Sequence, residues 1–151
     1  MSEGGQLVKI LLVEDNLDDV MITKRALKEA KVINELHVVR DGQEALDFLQ
    51  HAGAHADAAK SPRPGLVLLD VNLPKLNGID VLARIKQTPD LRRIPVIMLT
   101  VSRRDEDVVK SYDSGCNSFI QKPVEFDRFV ALVQEIGLYW GLLNVESPAQ
   151  Y

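Results

Sequence analysis

Cysteine is all but missing. The single thiol, Cys116, among 151 residues excludes an internal disulfide and a thiolate cage around a metal, and it favours a reducing compartment. Surplus positive charge is missing too. Eighteen Lys and Arg face 22 Asp and Glu, a net charge of −4, so no clustered basic footprint awaits the phosphates of a nucleic acid. No uninterrupted apolar run approaches the ~20 residues that a membrane helix needs. The opening MSEGGQLVK has no basic segment leading into an apolar one, so the expectation is a cytoplasmic protein. Internal repeats, low-complexity tracts and an interdomain linker are also lacking. What is present is a globular composition, 46% hydrophobic and 26% charged. At this length roughly two thirds of the chain's surface can be buried without metal or disulfide staples. The expectation is one domain over residues 1–151, with a core at about 7–143 and a frayed tail over 144–151.

Short apolar runs alternate with longer segments of helical period. The runs are Val8–Val13, Glu35–Val39, Leu66–Asp70, Ile94–Thr100 and Asn117–Gln121. Three of them are almost wholly apolar, as expected of parallel strands covered on both faces. Between them the pattern predicts helices at about 16–31, 42–52, 77–88, 103–114 and 125–143. Asn16 before Asp19, Asp41 before Glu44 and Ser102 before Asp105 each put a capping residue three positions ahead of an acid. The last helix carries a stripe of Phe126, Phe129, Val130, Val133, Ile136 and Trp140. Parallel strands need crossover helices, so five such units predict an α/β fold with a doubly wound, five-stranded parallel sheet. The stretch His51–Gly65 is rich in Ala, His and Pro and reads as a helix end followed by a long surface loop. His51 and His55 have no third ligand nearby, so they are expected to be solvated loop histidines rather than a metal site.

Open parallel sheets bind ligands beyond the carboxyl ends of their strands. Those ends carry Glu14-Asp15, Asp70, Thr100-Val101-Ser102 and Lys122-Pro123. Taken singly, each has a plain structural explanation as a cap, a turn-former, a β-branched strand residue or a solvated lysine. Together they mean something else. Three carboxylates held on one edge repel, and burying them costs several kcal/mol unless a cation offsets the charge. An all-oxygen site suits Mg²⁺. Asp70 at a strand tip is then placed as a nucleophile toward a phosphoryl group. Mg²⁺ and Lys122 would neutralise that group's charge, and Thr100 could donate a hydrogen bond to it.

With these residues the chain resembles the receiver domains of two-component response regulators over about 9–141. The resemblance rests on Glu14-Asp15, on Asp70 in LLDVNLPKLNG, on Thr100 in IPVIMLT and on Lys122-Pro123. It implies a flavodoxin-like (βα)5 fold and phosphorylation of Asp70 by a histidine kinase. In that pattern Asp15 and Asp70 would ligate Mg²⁺ directly, Glu14 would act through water, and the Asn72 carbonyl would complete the protein ligands. Thr100 and Phe119 would form the conformational switch. Lys122-Pro123 would be a cis peptide, and Gly78 would permit a tight backbone turn. Val101 stands where the family usually has a smaller residue, and Asn72 and Ser102 occupy positions that tune dephosphorylation in the family.

The chain carries no sequence for an output domain after the receiver pattern, so signalling through a protein partner is expected. A second apolar set near the end, with Tyr112, predicts a homodimer through the face of helix four, strand five and helix five, with Tyr112, Leu138, Tyr139 and Leu142 in contact. The segments ILLVEDNLDDV and HVVRDGQEALDFL, the long loop before the third strand and Tyr139-Trp140 are similar to small response regulators paired with phytochromes. The partner expected is a sensor histidine kinase, more narrowly a bacteriophytochrome. Three other readings fit less well. A flavin or nucleotide module wants a glycine-rich phosphate loop where Glu14-Asp15 would repel the phosphates. A phosphohydrolase wants a second acid where Asn72 stands, and a degenerate receiver would not keep the full acidic, hydroxyl and ammonium set.

Overall fold

A computed structural model of the chain describes residues 8–29, 34–100, 118–125, 127–129 and 131. Its strands are β1 (Val8–Val13), β2 (Asn34–Val39), β3 (Leu66–Asp70), β4 (Val96–Thr100) and β5 (Ser118–Gln121), and its described helices are α1 (Leu17–Glu29), α2 (Gly42–Gln50) and α3 (Gly78–Gln87). The strands form one parallel sheet in the order β2-β1-β3-β4-β5. Strand order reverses between β1 and β3, which opens a crevice at their carboxyl ends.

Strand periodicity divides the core in two. Leu11, Val13, Val67, Leu69, Val96 and Met98 face one way and pack with Leu46, Phe48 and Leu49 of α2 and Val81, Leu82 and Ile85 of α3. Ile10, Leu12, Leu68, Ile97, Leu99 and Ile120 face the other way, against Val20, Ala26 and Leu27 of α1 and against Phe129. Every residue of β3 and β4 is buried, as expected of central strands with both faces covered.

The element boundaries are set by local chemistry. The fourth strand starts at Val96 rather than Ile94, because Pro95 has no N–H for the ladder and Ile94 N–H instead closes a turn onto Leu91 O at 3.0 Å. The second helix stops at Gln50, where His51 takes a left-handed conformation (φ 56°). Asp41 caps α2 through Glu44 N–H at 2.7 Å, and Asn77 caps α3 through Asp80 N–H at 2.9 Å. The predicted helix at 103–114, most of that at 125–143, and Tyr112, Leu138, Tyr139 and Leu142 lie outside the described residues.

The loop after α2 differs from expectation. His51 and His55 are half-buried fasteners rather than solvated side chains. A single 3-10 turn, Gly53–His55, presents His55 to Glu44 Oε2 at 3.0 Å and to Ser61 Oγ at 2.9 Å. His51 Nε2 lies 2.9 Å from Ser61 O, and the His55 ring meets the edge of Phe48 at 5.2 Å between centroids. The long loop is thereby tied to α2.

Candidate functional site

Each strand near the crevice delivers one polar residue as its apolar run ends. Glu14 follows β1, its N–H donating to Val39 O at 3.0 Å, and it is 0% exposed. Asp15 is next and is exposed; its carbonyl accepts from Arg40 Nη2 at 3.3 Å. Asp70 ends β3 and is buried, and Oδ1 accepts from Asn72 N–H at 3.1 Å. Thr100 ends β4 and is fully buried. Its hydroxyl finds no hydrogen-bond partner among the described residues. An unsatisfied buried hydroxyl is costly in a folded protein and calls for a functional reason.

Lys122 brings these strand ends together. The peptide Lys122-Pro123 is cis, and Lys122 N–H donates to Thr100 O at 2.7 Å. Its ammonium lies 2.8 Å from Glu14 Oε1, 2.9 Å from Asp19 Oδ2 and 3.0 Å from Asp70 Oδ2. Burial alone would lower the Lys122 pKa, but the contacts with Glu14 and Asp19 and the charge of Asp70 outweigh it and hold the ammonium above the ordinary lysine range. Glu14 shows the opposite balance. Burial raises its carboxyl from 4.5 to about 7, with the Lys122 contact working against that rise and Asp70 adding to it.

Carboxylate oxygens of Glu14, Asp15 and Asp70 all lie within 4.8 Å of one another. Three acids this close exceed the charge that one ammonium offsets. An oxygen-only donor set with one exposed member suits a hard divalent cation that keeps part of its water. The residues present therefore fit a divalent ion.

Glycine closes the site from below. A Cβ on Gly78 would come within 2.1 Å of Asp70 O and 2.8 Å of Val71 Cα. The requirement is close approach of α3 to the end of β3, not the tight turn expected from sequence. Gly42 is likewise pressed against Leu76 O, joining the start of α2 to the loop after β3.

Of the predicted site residues, the structure brings together Glu14, Asp15, Asp70 and Lys122, with Thr100 at the neighbouring strand end. Asn72 is exposed on the loop just beyond Asp70. Phe119 is half-buried against the α2–α3 side of the core, paired in register with Met98. Val101 and Ser102 lie outside the described residues. Asp19 was missed. Its place three after Asn16 marks it as the acid of a local helix cap, and that position hid its contact with Lys122.

The response regulator receiver domain model matches residues 10–134. Response regulator Rcp1 of Synechocystis sp. is 44% identical over 140 residues, which span 93% of this chain and 92% of Rcp1. The bacteriophytochrome response regulator AtBRR superposes with a TM-score of 0.84 at 47% identity, over 92% of this chain and 99% of AtBRR. A Mn(2+)-bound form of Rcp1 superposes with a TM-score of 0.72 at 44% identity, over 94% of this chain and 99% of that structure.

Proposed function

Because this chain belongs to the response regulator receiver domain family of two-component signalling proteins, we propose that it is a phosphoacceptor switch that takes a phosphoryl group on Asp70 from a histidine kinase. The observation that carries this reading is the setting of Asp70. It is a buried carboxylate at the sheet's carboxyl edge, 3.0 Å from an ammonium and one strand away from a buried hydroxyl that has no hydrogen-bond partner among the described residues.

In the step proposed, an Asp70 carboxylate oxygen attacks phosphorus as the bond to the kinase's histidine nitrogen breaks. The leaving imidazole keeps the bonding pair and takes a proton. Asp15 and Asp70, with Glu14 through water and the Asn72 carbonyl, would hold Mg²⁺, which supplies positive charge to the phosphoryl oxygens when bound. Lys122 offers a second positive charge, and the Thr100 hydroxyl, without a partner among the described residues, donates to a phosphoryl oxygen. Reorientation of Thr100 toward that oxygen leaves room on the β4–β5 side, where Phe119 is half-buried and able to turn inward. The signal then passes by a shift between two conformations.

The similarity to the bacteriophytochrome response regulator AtBRR supports a bacteriophytochrome-type sensor kinase as the donor, and the proposed setting is the cytoplasm. On sequence grounds, Tyr112, Leu138, Tyr139 and Leu142 are proposed contacts of a homodimer. Monomeric mass in solution for both the free and phosphorylated forms overturns that contact. The main test is incubation with a small acyl phosphate and Mg²⁺, read by intact mass. Wild type gains one phosphoryl group and Asp70→Asn gains none. An adduct on Asp70→Asn refutes the assignment.

A further inference from the structure

Three carboxylates crowd the Lys122 ammonium. Those of Glu14, Asp19 and Asp70 stand at 2.8, 2.9 and 3.0 Å, and it donates hydrogen bonds to Asp19 and Asp70. A phosphoryl oxygen arriving at Asp70 has to compete with them for this ammonium. The three differ in what release costs. Glu14 is sealed from solvent, so its carboxylate, letting go, would remain buried without compensation, and Asp70 is itself the residue that takes the arriving group. Asp19 sits on the first turn of α1 with 28% of its side chain exposed, and it can turn into water.

The local hydrogen bonds also leave Asp19 free for this task. An acid three residues after a helix cap normally accepts from the cap's own N–H. Here Asn16 N–H goes to Glu14 Oε2 at 3.3 Å, while Asn16 Oδ1 accepts from Asp19 N–H at 2.9 Å. The Asp19 carboxylate turns instead to Lys122, 103 residues away. In α2 the equivalent acid keeps one oxygen local, Glu44 Oε1 accepting from Arg40 N–H at 3.0 Å, and only its other oxygen reaches out, to His55.

We propose that Asp19 is the exchangeable partner of Lys122, a positioning residue that holds the ammonium in the unphosphorylated protein and yields it to a phosphoryl oxygen on Asp70. The inference rests on Asp70 as phosphoacceptor. It follows that Asp19 competes with the phosphoryl group, and that removing its carboxylate makes capture easier. Asp18 is the adjacent control, an exposed acid on the same turn.

Beryllium fluoride, a tetrahedral phosphoryl mimic, tests this at saturating Mg²⁺ in the wild-type chain and in Asp19→Asn, Asp19→Ala, Asp19→Glu and Asp18→Asn. Apparent affinity for the mimic should rise about three- to tenfold in Asp19→Asn and Asp19→Ala. It should stay within about twofold of wild type in Asp19→Glu and Asp18→Asn. With an acyl phosphate donor, the half-saturating concentration should fall in Asp19→Asn more than the limiting rate changes. A role confined to capping α1 lowers the melting temperature without raising affinity for the mimic. Unchanged or weaker binding in Asp19→Asn and Asp19→Ala overturns the proposal. So does an equal gain in Asp18→Asn, which assigns the effect to net charge, or in Asp19→Glu, which keeps the carboxylate. If wild type takes up no mimic, the phosphoacceptor reading fails and this proposal fails with it. If wild type binds and the Asp19 variants match it, only the role of Asp19 is lost.

Discussion

Glu14 concentrates the energetic conflict of the site in one residue. Its carboxyl, raised to about 7 by burial and by Asp70 despite the Lys122 contact, holds a proton that the unfolded chain gives up near 4.5. Folding therefore favours the protonated form, and stability contributed at this residue is intact below pH 4.5 and declines as pH rises toward 7. Without divalent ions, the stability of wild type relative to Glu14→Gln should fall over that window by at most about 3 kcal/mol. Urea unfolding in chelator at a series of pH values measures it, and a flat difference refutes it. Lys122 is the counterweight. Lys122→Met leaves Glu14 and Asp70 buried without a cation, so it should cost about 3–5 kcal/mol at pH 8 in chelator. Mg²⁺ should restore part of that loss, and the same unfolding experiment reads it.

At the scale of elements, α3 is the support on which Asp70 rests. Gly78 lets its first turn lie against the end of β3, and a methyl there meets Asp70 O at 2.1 Å. Gly78→Ala should destabilise by about 1–3 kcal/mol and slow acyl-phosphate labelling of Asp70, since relief requires moving β3 or α3. Equal labelling rates at equal folded fraction would contradict this. Asp41→Ala removes the cap of α2 and should cost about 1 kcal/mol in denaturant melts while leaving labelling nearly unchanged. The elements themselves were legible in sequence because β3 and β4 are buried on both faces and announce themselves as apolar runs. Asp70, Thr100 and Lys122 were legible because each stands where such a run stops. His55 and Asp19 were not. Their partners, Ser61 with Glu44 and Lys122, are fixed by how elements pack, and a local pattern offered each a sufficient role of its own.

Across the whole molecule, the sheet buries its apolar faces independently of its acidic edge, so the edge can carry net repulsion that folding alone does not relieve. A cation that binds the folded edge and not the unfolded chain must then stabilise the entire domain through linkage. At a hundred times its dissociation constant the gain is about 2.7 kcal/mol, visible as a rise in melting temperature that grows with Mg²⁺ concentration. Asp15 separates this effect from general salt screening. It is exposed and contributes little to packing, so Asp15→Asn should fold with stability equal to or above wild type in chelator while losing most of the Mg²⁺-dependent rise. Screening by salt would act on both proteins alike and would be matched by an equal ionic strength of KCl. A full Mg²⁺ response in Asp15→Asn would therefore show that the ion does not sit among Glu14, Asp15 and Asp70.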